Sequence, residues 1–336
     1  MLSEKIRVFI NGFGRIGRSA ARILLEDERF ELIGINDLYS FEQMAYLFQY
    51  DSVYSGLRKG IELQEDRLIV SGKTIMLFSE PNPEKMDMKA LSIDIVLQCT
   101  GIFLECQSNE PLLENGARKV IVSAPASDSM PTYIYGINHQ EYDNEPIISN
   151  SSCSANAIVP IFKIVDDAFG IESAMMSMYH SYSVYQNLLD AKHHSKDIRR
   201  TRSSTQNILP LMSSAAEAVT CFFPHLKGLM YAKSIRVPVP AVTLYELHIQ
   251  LSQSVTSEEV NSRLTEEIAL HYSEILDTTM YIDASDSYVG NPYSAVINLP
   301  VTTVVERDLL RISAWQDNEY SYAKRLIDMA FVAGSR

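Results

Sequence analysis

The sequence predicts a two-part α/β chain: a parallel sheet wrapped by helices, then an α+β part whose sheet is mostly antiparallel. Three observations predict it. The length of 336 residues exceeds the ~250–300 at which single cores stop growing. The first half alternates short apolar runs with helical periodicity, the pattern of parallel strands joined by crossover helices. After Asn150 come longer runs that alternate apolar and polar residues, as sheets with one open face do.

The first run, IRVFI at Ile6–Ile10, reads as a buried strand, followed by a helical pattern in SAARILLEDERF. The next strand, ELIGIN, ends at Asn36-Asp37. Further strands are expected in DRLIV, TIMLFS, IDIVLQCT and KVIVSAP, with helical stretches before the last two. Beyond Asn150, Ser154–Phe169 reads as an amphipathic helix stopped by Gly170. Strands follow in MMSMYHSYSV, KSIRVPVP, TLYELHIQLS, YSAVINL and LLRISAWQ. The polar, basic stretch Asp190–Arg202 reads as a long ordered loop. A helix in SEEVNSRLTEEIALHY is opened by Ser257, with Glu259 as a first-turn acid. The last helix is SYAKRLIDMAFVAG. The expected domains are residues 1–152 and 153–316, with the segment 317–336 returning to the first.

Composition narrows the function. With 46% hydrophobic and 21% charged residues, the core is large enough to stand without a disulfide or metal staple. A net charge of -13 argues against nucleic acid as a partner, since phosphate backbones select clustered Lys and Arg. Cys99, Cys106, Cys153 and Cys221 show no CxxC spacing, so neither a metal site nor a redox pair is expected. Few thiols in a long chain suit a reducing compartment. The N-terminus lacks the apolar run of a signal peptide, and no stretch reaches the ~18 apolar residues of a membrane helix. The expectation is a cytoplasmic protein with no membrane partner.

Gly12, Gly14 and Gly17 form GxGxxG directly after a strand and at the opening of a helix. The first serves a tight turn, the second close approach of a pyrophosphate, the third helix–strand packing. Backbone N–H groups near Arg15 and Ile16 would hold the pyrophosphate. Asp37, at the end of the next strand, would accept from the adenine ribose hydroxyls and repel a 2′-phosphate. The unit therefore predicts a Rossmann-type dinucleotide domain that takes NAD.

Cys153 lies in SNSSCSANAIVPIF, at or near the first turn of a helix. The macrodipole there stabilises thiolate and lowers the thiol pKa, and the thiolate is the nucleophile. None of the other three cysteines has that setting.

The chain resembles the glyceraldehyde-3-phosphate dehydrogenase family over nearly its full length. The resemblance is carried by NGFGRIGR at Asn11–Arg18, IND at Ile35–Asp37, CTG at Cys99–Gly101 and SAPA at Ser123–Ala126. It continues in ISNSSCSAN around Cys153, HSYS at His180–Ser183, KDIRRTR and QNILP, IRVPV at Ile235–Val239 and WQDNEYSY at Trp315–Tyr322. It implies oxidation of a phosphorylated aldehyde with NAD and inorganic phosphate, a place in glycolysis or gluconeogenesis, and a homotetramer in which the Asp190–Arg202 loop shapes a neighbour's cofactor pocket. Cys153 would be the nucleophile and His180 its base. Asn318 would bond the nicotinamide amide, Tyr322 would pack near the ring, and Ser123 would lie beside the nicotinamide half. Phosphate donors would be Ser152, Ser154, Ser183, Arg200, Ser213, Ser214 and Arg236, with the choice among Arg199, Arg200 and Arg202 open.

Several positions depart from the family pattern. Cys153-Ser154-Ala155-Asn156 stands for Cys-Thr-Thr-Asn, and Ser213-Ser214 for Thr-Gly. Glu217 replaces a lysine, Ser183 a threonine and Tyr320 a tryptophan. Most of these swaps keep a hydroxyl. The related erythrose-4-phosphate dehydrogenase is resembled too, in RRTR at Arg199–Arg202 and FFP at Phe222–Pro224. The alternatives are therefore that four-carbon aldehyde as substrate, or a catalytically weak NAD-binding paralogue with a redox-sensing role.

Overall fold

The computed structural model describes residues 5–54 and 60–336. The chain divides into two units, Met1–Ser152 with Tyr322–Arg336, and Cys153–Ser321.

The first unit holds β1 (Ile6–Asn11), α1 (Arg15–Glu26), β2 (Phe30–Asn36), α2 (Phe41–Gln49), β3 (Ile61–Gln64), β4 (Arg67–Val70) and β5 (Lys73–Phe78). It continues with β6 (Ile95–Gln98), α3 (Cys106–Glu114), β7 (Lys119–Val122) and β8 (Ile147–Ser149). They build one eight-stranded sheet in the order β3-β4-β5-β2-β1-β6-β7-β8. From β5 to β8 every neighbour is parallel. Val8, Ile10, Ile35, Ile95, Leu97 and Val120 are fully buried, which explains why these strands read as continuous apolar runs.

The chain leaves β1 towards β2 and β5, then crosses back to β6 on β1's other side. Such a reversal opens a crevice beyond the carboxyl ends of the strands. Buried amides close the strand ends there. Asn36 Nδ2 donates to Asn11 Oδ1 at 2.8 Å, Asn11 Nδ2 to Gln98 Oε1 at 3.2 Å, and Gln98 Nε2 to Asn109 Oδ1 at 3.1 Å.

The helix expected before β6 is absent. Only a short 3-10 turn, Pro83–Lys85, lies between β5 and β6, because Pro81 and Pro83 remove N–H donors from that stretch. Helix α2 is an addition to the expected set, closed at its start by a reciprocal cap between Ser40 and Gln43.

The second unit opens with α4 (Cys153–Phe169), β9 (Ile171–Ser181), β10 (Leu209–Met212), α5 (Ala215–Thr220), β11 (Met230–Val237) and β12 (Thr243–Leu251). It ends with α6 (Ser257–Glu267), β13 (Leu276–Thr279), β14 (Ala295–Asn298), β15 (Thr303–Val305) and β16 (Leu309–Gln316). Its sheet runs β10-β11-β9-β12-β16-β14-β13, with β15 beside β16. The β11–β9 and β13–β14 pairs are parallel and the others antiparallel.

Inward residues of β9, Ala174, Met176 and Met178, are buried, while Met175 and Tyr179 face out. Helix α4 packs against α5 and α6 and ends at Gly170, whose φ of +68° suits only glycine without strain. The cap of α6 is Thr256 rather than Ser257: its hydroxyl accepts from the Glu259 N–H, and the Glu259 carboxylate accepts from the Thr256 N–H. Helix α7 (Tyr320–Gly334) has Tyr320 and Ser321 in this unit and its remainder in the first.

Candidate active site

In the first unit, the glycine-rich turn shows why each glycine is there. Gly12 has φ +99°, and a Cβ on it would lie 2.6 Å from the backbone of Cys99 and Thr100, just past β6. A Cβ on Gly17 would lie 2.1 Å from the Gly12 carbonyl oxygen, so α1 can approach the turn only as glycine. A Cβ on Gly14 would meet nothing within 4 Å; the space beside it is open. Helix α1 starts at Arg15, so the N–H groups of Arg15 and Ile16 fall in its first turn, where donors lack helical partners. The Arg15 side chain turns away, 3.9 Å from Asp51 and over the Tyr54 ring.

Asp37 folds over this turn. Its Oδ2 accepts from Phe13 N–H at 2.5 Å and its Oδ1 from Leu38 N–H at 2.7 Å. The cradle therefore offers donors for a pyrophosphate, an open face at Gly14 and a fixed carboxylate, which fits a dinucleotide with free ribose hydroxyls. Ser123 follows β7 and interacts with Cys99, whose buried thiol is pushed up to about 12. The Tyr322 hydroxyl donates to the Ser151 carbonyl at 2.8 Å. Ser151 holds a left-handed φ of +57°, and Ser152, half-buried, follows it.

In the second unit, strand register brings a further group of residues together. Leu209, Arg236, His180, Thr243 and Gln316 lie side by side across β10, β11, β9, β12 and β16. Adjacent strands are ~4.8 Å apart. Gln316 Nε2 donates to the Cys153 carbonyl at 3.0 Å, which ties the start of α4 to that row. Arg236 acts electrostatically on both Cys153 and His180, so thiol, imidazole and guanidinium share one locality.

Burial decides their protonation. Burial, then the Arg236 charge, lowers His180 to about 3, against a smaller upward effect of the Ser181 backbone. The His180 ring is thus neutral. The Cys153 thiol is raised by burial, although Arg236 and bonds with Ser154 pull it down. This reverses the expectation of a lowered thiol from the helix start alone: desolvation of a thiolate outweighs the macrodipole here. Arg236 is itself held below its ordinary value, first by burial.

Asn318 is fixed by two hydroxyls, Ser181 Oγ at 3.1 Å and Thr243 Oγ1 at 3.3 Å, both donating to its Oδ1. Its Nδ2 is the amide's donor side. Asp317 caps the turn into α7, accepting from Glu319 and Tyr320 N–H at 3.0 and 2.9 Å. The sequence reading assigned no role to Thr243, Tyr245 or Gln316. Inward alternation points to all three, to Thr243 and Tyr245 along β12 and to Gln316 along β16. The Tyr245 hydroxyl donates to Gln316 Oε1 at 2.7 Å, and the Ser154 side chain acts on both Tyr245 and Cys153.

The anion donors sort unequally. Arg199 is paired with Asp197 at 2.7 Å and Arg202 with Asp190 at 3.1 Å. Arg200 forms no ion pair among the described residues, although its charge reaches the Asp197 carboxylate as well as Arg236. The Ser183 hydroxyl donates to Gln186 Oε1 at 2.9 Å. Ser213 accepts from Ala215 N–H at 3.2 Å. Ser214 has φ -89°, so serine occupies this position, usually glycine in the family, without strain.

Residues 6–106 match the family described as glyceraldehyde 3-phosphate dehydrogenase, NAD binding domain. Residues 152–318 match the glyceraldehyde 3-phosphate dehydrogenase C-terminal domain. The chain is 39% identical over 327 residues to glyceraldehyde-3-phosphate dehydrogenase 1 of Bacillus subtilis (strain 168), covering 97% of each. It is 38% identical over 327 residues to glyceraldehyde-3-phosphate dehydrogenase of Priestia megaterium (strain DSM 319 / IMG 1521), again 97% of each. It is 37% identical over 325 residues to that of Clostridium pasteurianum, 96% of each. The glycine cradle with its carboxylate, the Cys153–His180–Arg236 group and these likenesses converge: the chain belongs to the glyceraldehyde 3-phosphate dehydrogenase family and is an NAD-dependent oxidoreductase.

Proposed function

We propose that this protein oxidises glyceraldehyde 3-phosphate to its acyl phosphate with NAD and inorganic phosphate, through a thioester on Cys153. The observation that carries this reading is the register pair of Arg236 with His180, together with the Arg236 charge acting on both that ring and the Cys153 thiol. Cys153 sulfur attacks the aldehyde carbon as its proton goes to His180, which passes that proton to the aldehyde oxygen to give the hemithioacetal hydroxyl and takes it back as the hydride leaves. NAD, when bound, accepts the hydride at its nicotinamide ring. Asn318 Nδ2 would donate to the carboxamide of the bound nicotinamide, and Tyr322 buttresses the Ser151 turn. Arg236 and Arg200, with Ser183, take the substrate phosphate; Ser152, Ser154, Ser213 and Ser214 serve the attacking phosphate. A phosphate oxygen attacks the thioester carbon, and the carbon–sulfur bond breaks to return Cys153.

The assay is reduced-cofactor formation with the three-carbon or four-carbon phosphorylated aldehyde, with and without phosphate. Phosphate-dependent turnover of the three-carbon substrate is expected, and none in Cys153→Ser. Turnover indifferent to phosphate and faster with erythrose 4-phosphate would overturn the substrate assignment. Alkylation of Cys153 without turnover on either aldehyde would leave only a sensing role.

The assembly in this proposal is a homotetramer. The outer face of the second sheet supports it, since Met175, Tyr179 and Tyr231 are exposed there, more apolar surface than a solvated strand face carries.

A further inference from the structure

Asn318 sits in the turn between β16 and α7, and the backbone around it is tied down. Asp317 Oδ1 accepts from the Glu319 and Tyr320 N–H groups, and its Oδ2 accepts from the Gly290 N–H at 2.7 Å. The Asn318 side chain is held separately. Ser181 Oγ, at the end of β9, and Thr243 Oγ1, at the start of β12, both donate to Asn318 Oδ1. Ser181 is 1% exposed and Thr243 fully buried, so neither hydroxyl can turn to bulk water. Neither meets another acceptor among the described residues.

The number of hydrogens decides which way this amide points. An amide's oxygen and nitrogen are told apart by the bonds around them. A hydroxyl carries one hydrogen, and an amide nitrogen only donates. With Oδ1 inward, each hydroxyl hydrogen finds a lone pair, and both lone pairs of Oδ1 are filled. With Nδ2 inward, the hydroxyl oxygens would accept instead. Their two hydrogens would then be buried with nothing to bond, which folding penalises. The satisfied arrangement leaves Asn318 no acceptor to offer. Its remaining side is Nδ2, which can only donate.

We propose that Ser181 and Thr243 are positioning residues that lock Asn318 with its donor side outward, so that the protein selects its cofactor by the acceptor oxygen on the pyridine ring's side group and ignores the amino group beside it. This deepens the proposed role of Asn318 as partner of the nicotinamide carboxamide, and rests on it. The carboxamide carries one acceptor oxygen and one amino group, and a locked donor can bond only the first. The selectivity therefore comes from two hydroxyls on neighbouring strands that need not touch the cofactor themselves.

The test is calorimetric binding to the full chain without aldehyde. The probes are NAD and two analogues. The 3-acetylpyridine analogue keeps a carbonyl oxygen and lacks the amino group. The thionicotinamide analogue keeps the amino group and offers sulfur, a weaker acceptor. The acetyl analogue should bind more tightly than the thio analogue by about threefold or more, the size of one neutral hydrogen bond. This comparison needs no variant, and the reverse order in the wild-type protein overturns the proposal. In Ser181→Ala with Thr243→Val, the amide can turn its oxygen outward to the amino group, so the thio analogue should gain and the preference should vanish. Thr243→Ser keeps a hydroxyl and should keep the preference. A double variant that unfolds at the wild-type urea midpoint and still shows the full preference would mean that the hydroxyls do not set the amide, and the lock falls. Asn318→Ala separates the two levels. Unchanged dissociation constants for all three probes would remove Asn318 from the cofactor site, whereas weakened NAD binding there, beside an unmoved preference in the double variant, would sink the lock alone.

Discussion

Single side chains set the chemistry through burial more than through position in the sequence. His180 has an ordinary pKa of 6.5 and a folded value of about 3. Between these values the unfolded chain binds more protons, so stability falls as pH is lowered through 6.5 towards 3. His180→Asn removes that contribution: the loss of urea midpoint between pH 7 and pH 4 should become shallower than in the wild type. The same variant should lower kcat by about 10²–10⁴, the range for loss of a general base, with little change in the aldehyde KM. At the other end of the proposed reaction, Asp37 accepts from the Phe13 N–H and would accept from the ribose hydroxyls. A hydrogen bond to a charged group contributes about 1.5–3 kcal/mol. Asp37→Ala should therefore raise the NAD dissociation constant roughly 10- to 100-fold by calorimetry, and an unchanged constant would remove Asp37 from the site.

Elements bring these residues together by register, and this is where sequence reading reached its limits. Strands β1, β2, β6 and β7 were legible because burial on both faces demands continuous apolar runs. Helix α2 was not, since only Met44 and Phe48 of its nine residues are buried, too few to set a period. The β5–β6 crossover lacked its expected helix because two prolines interrupt an otherwise polar stretch. Within the site, Cys153 and His180 were legible through the company of matching motifs, but Arg200 could not be told from Arg199 and Arg202. Only folding shows that nearby aspartates claim the outer two. The direction of the thiol's shift was likewise invisible, because desolvation is a tertiary property. The contact of α1 with the glycine-rich turn gives the sharpest test at this scale. Gly17→Ala would set a Cβ 2.1 Å from the Gly12 carbonyl oxygen, and overpacking of this kind costs about 1–3 kcal/mol. Urea denaturation should show a loss of that size, with weakened NAD binding beside it; a variant as stable as wild type would mean the turn can yield.

At the scale of the molecule, the open face of the second sheet bears on assembly. Tyr231 is half-exposed and Met175 more so, both on outward positions of adjacent strands β11 and β9. In the proposed tetramer this face meets another copy. Met175→Glu with Tyr231→Glu would bury charge in such an interface, which costs several kcal/mol, and should shift sedimentation towards smaller species. Tetramers that persist in the double variant would move the interface elsewhere. Tyr322 has a bearing on the chain's birth as well. Its bond to the Ser151 carbonyl secures the left-handed turn just ahead of Cys153, yet it is made late. At 5–20 residues per second, a ribosome needs on the order of ten seconds to travel from the cysteine to that tyrosine. During that interval the nascent thiol emerges without its final clasp, and translation must pass Tyr322 before this turn can be locked.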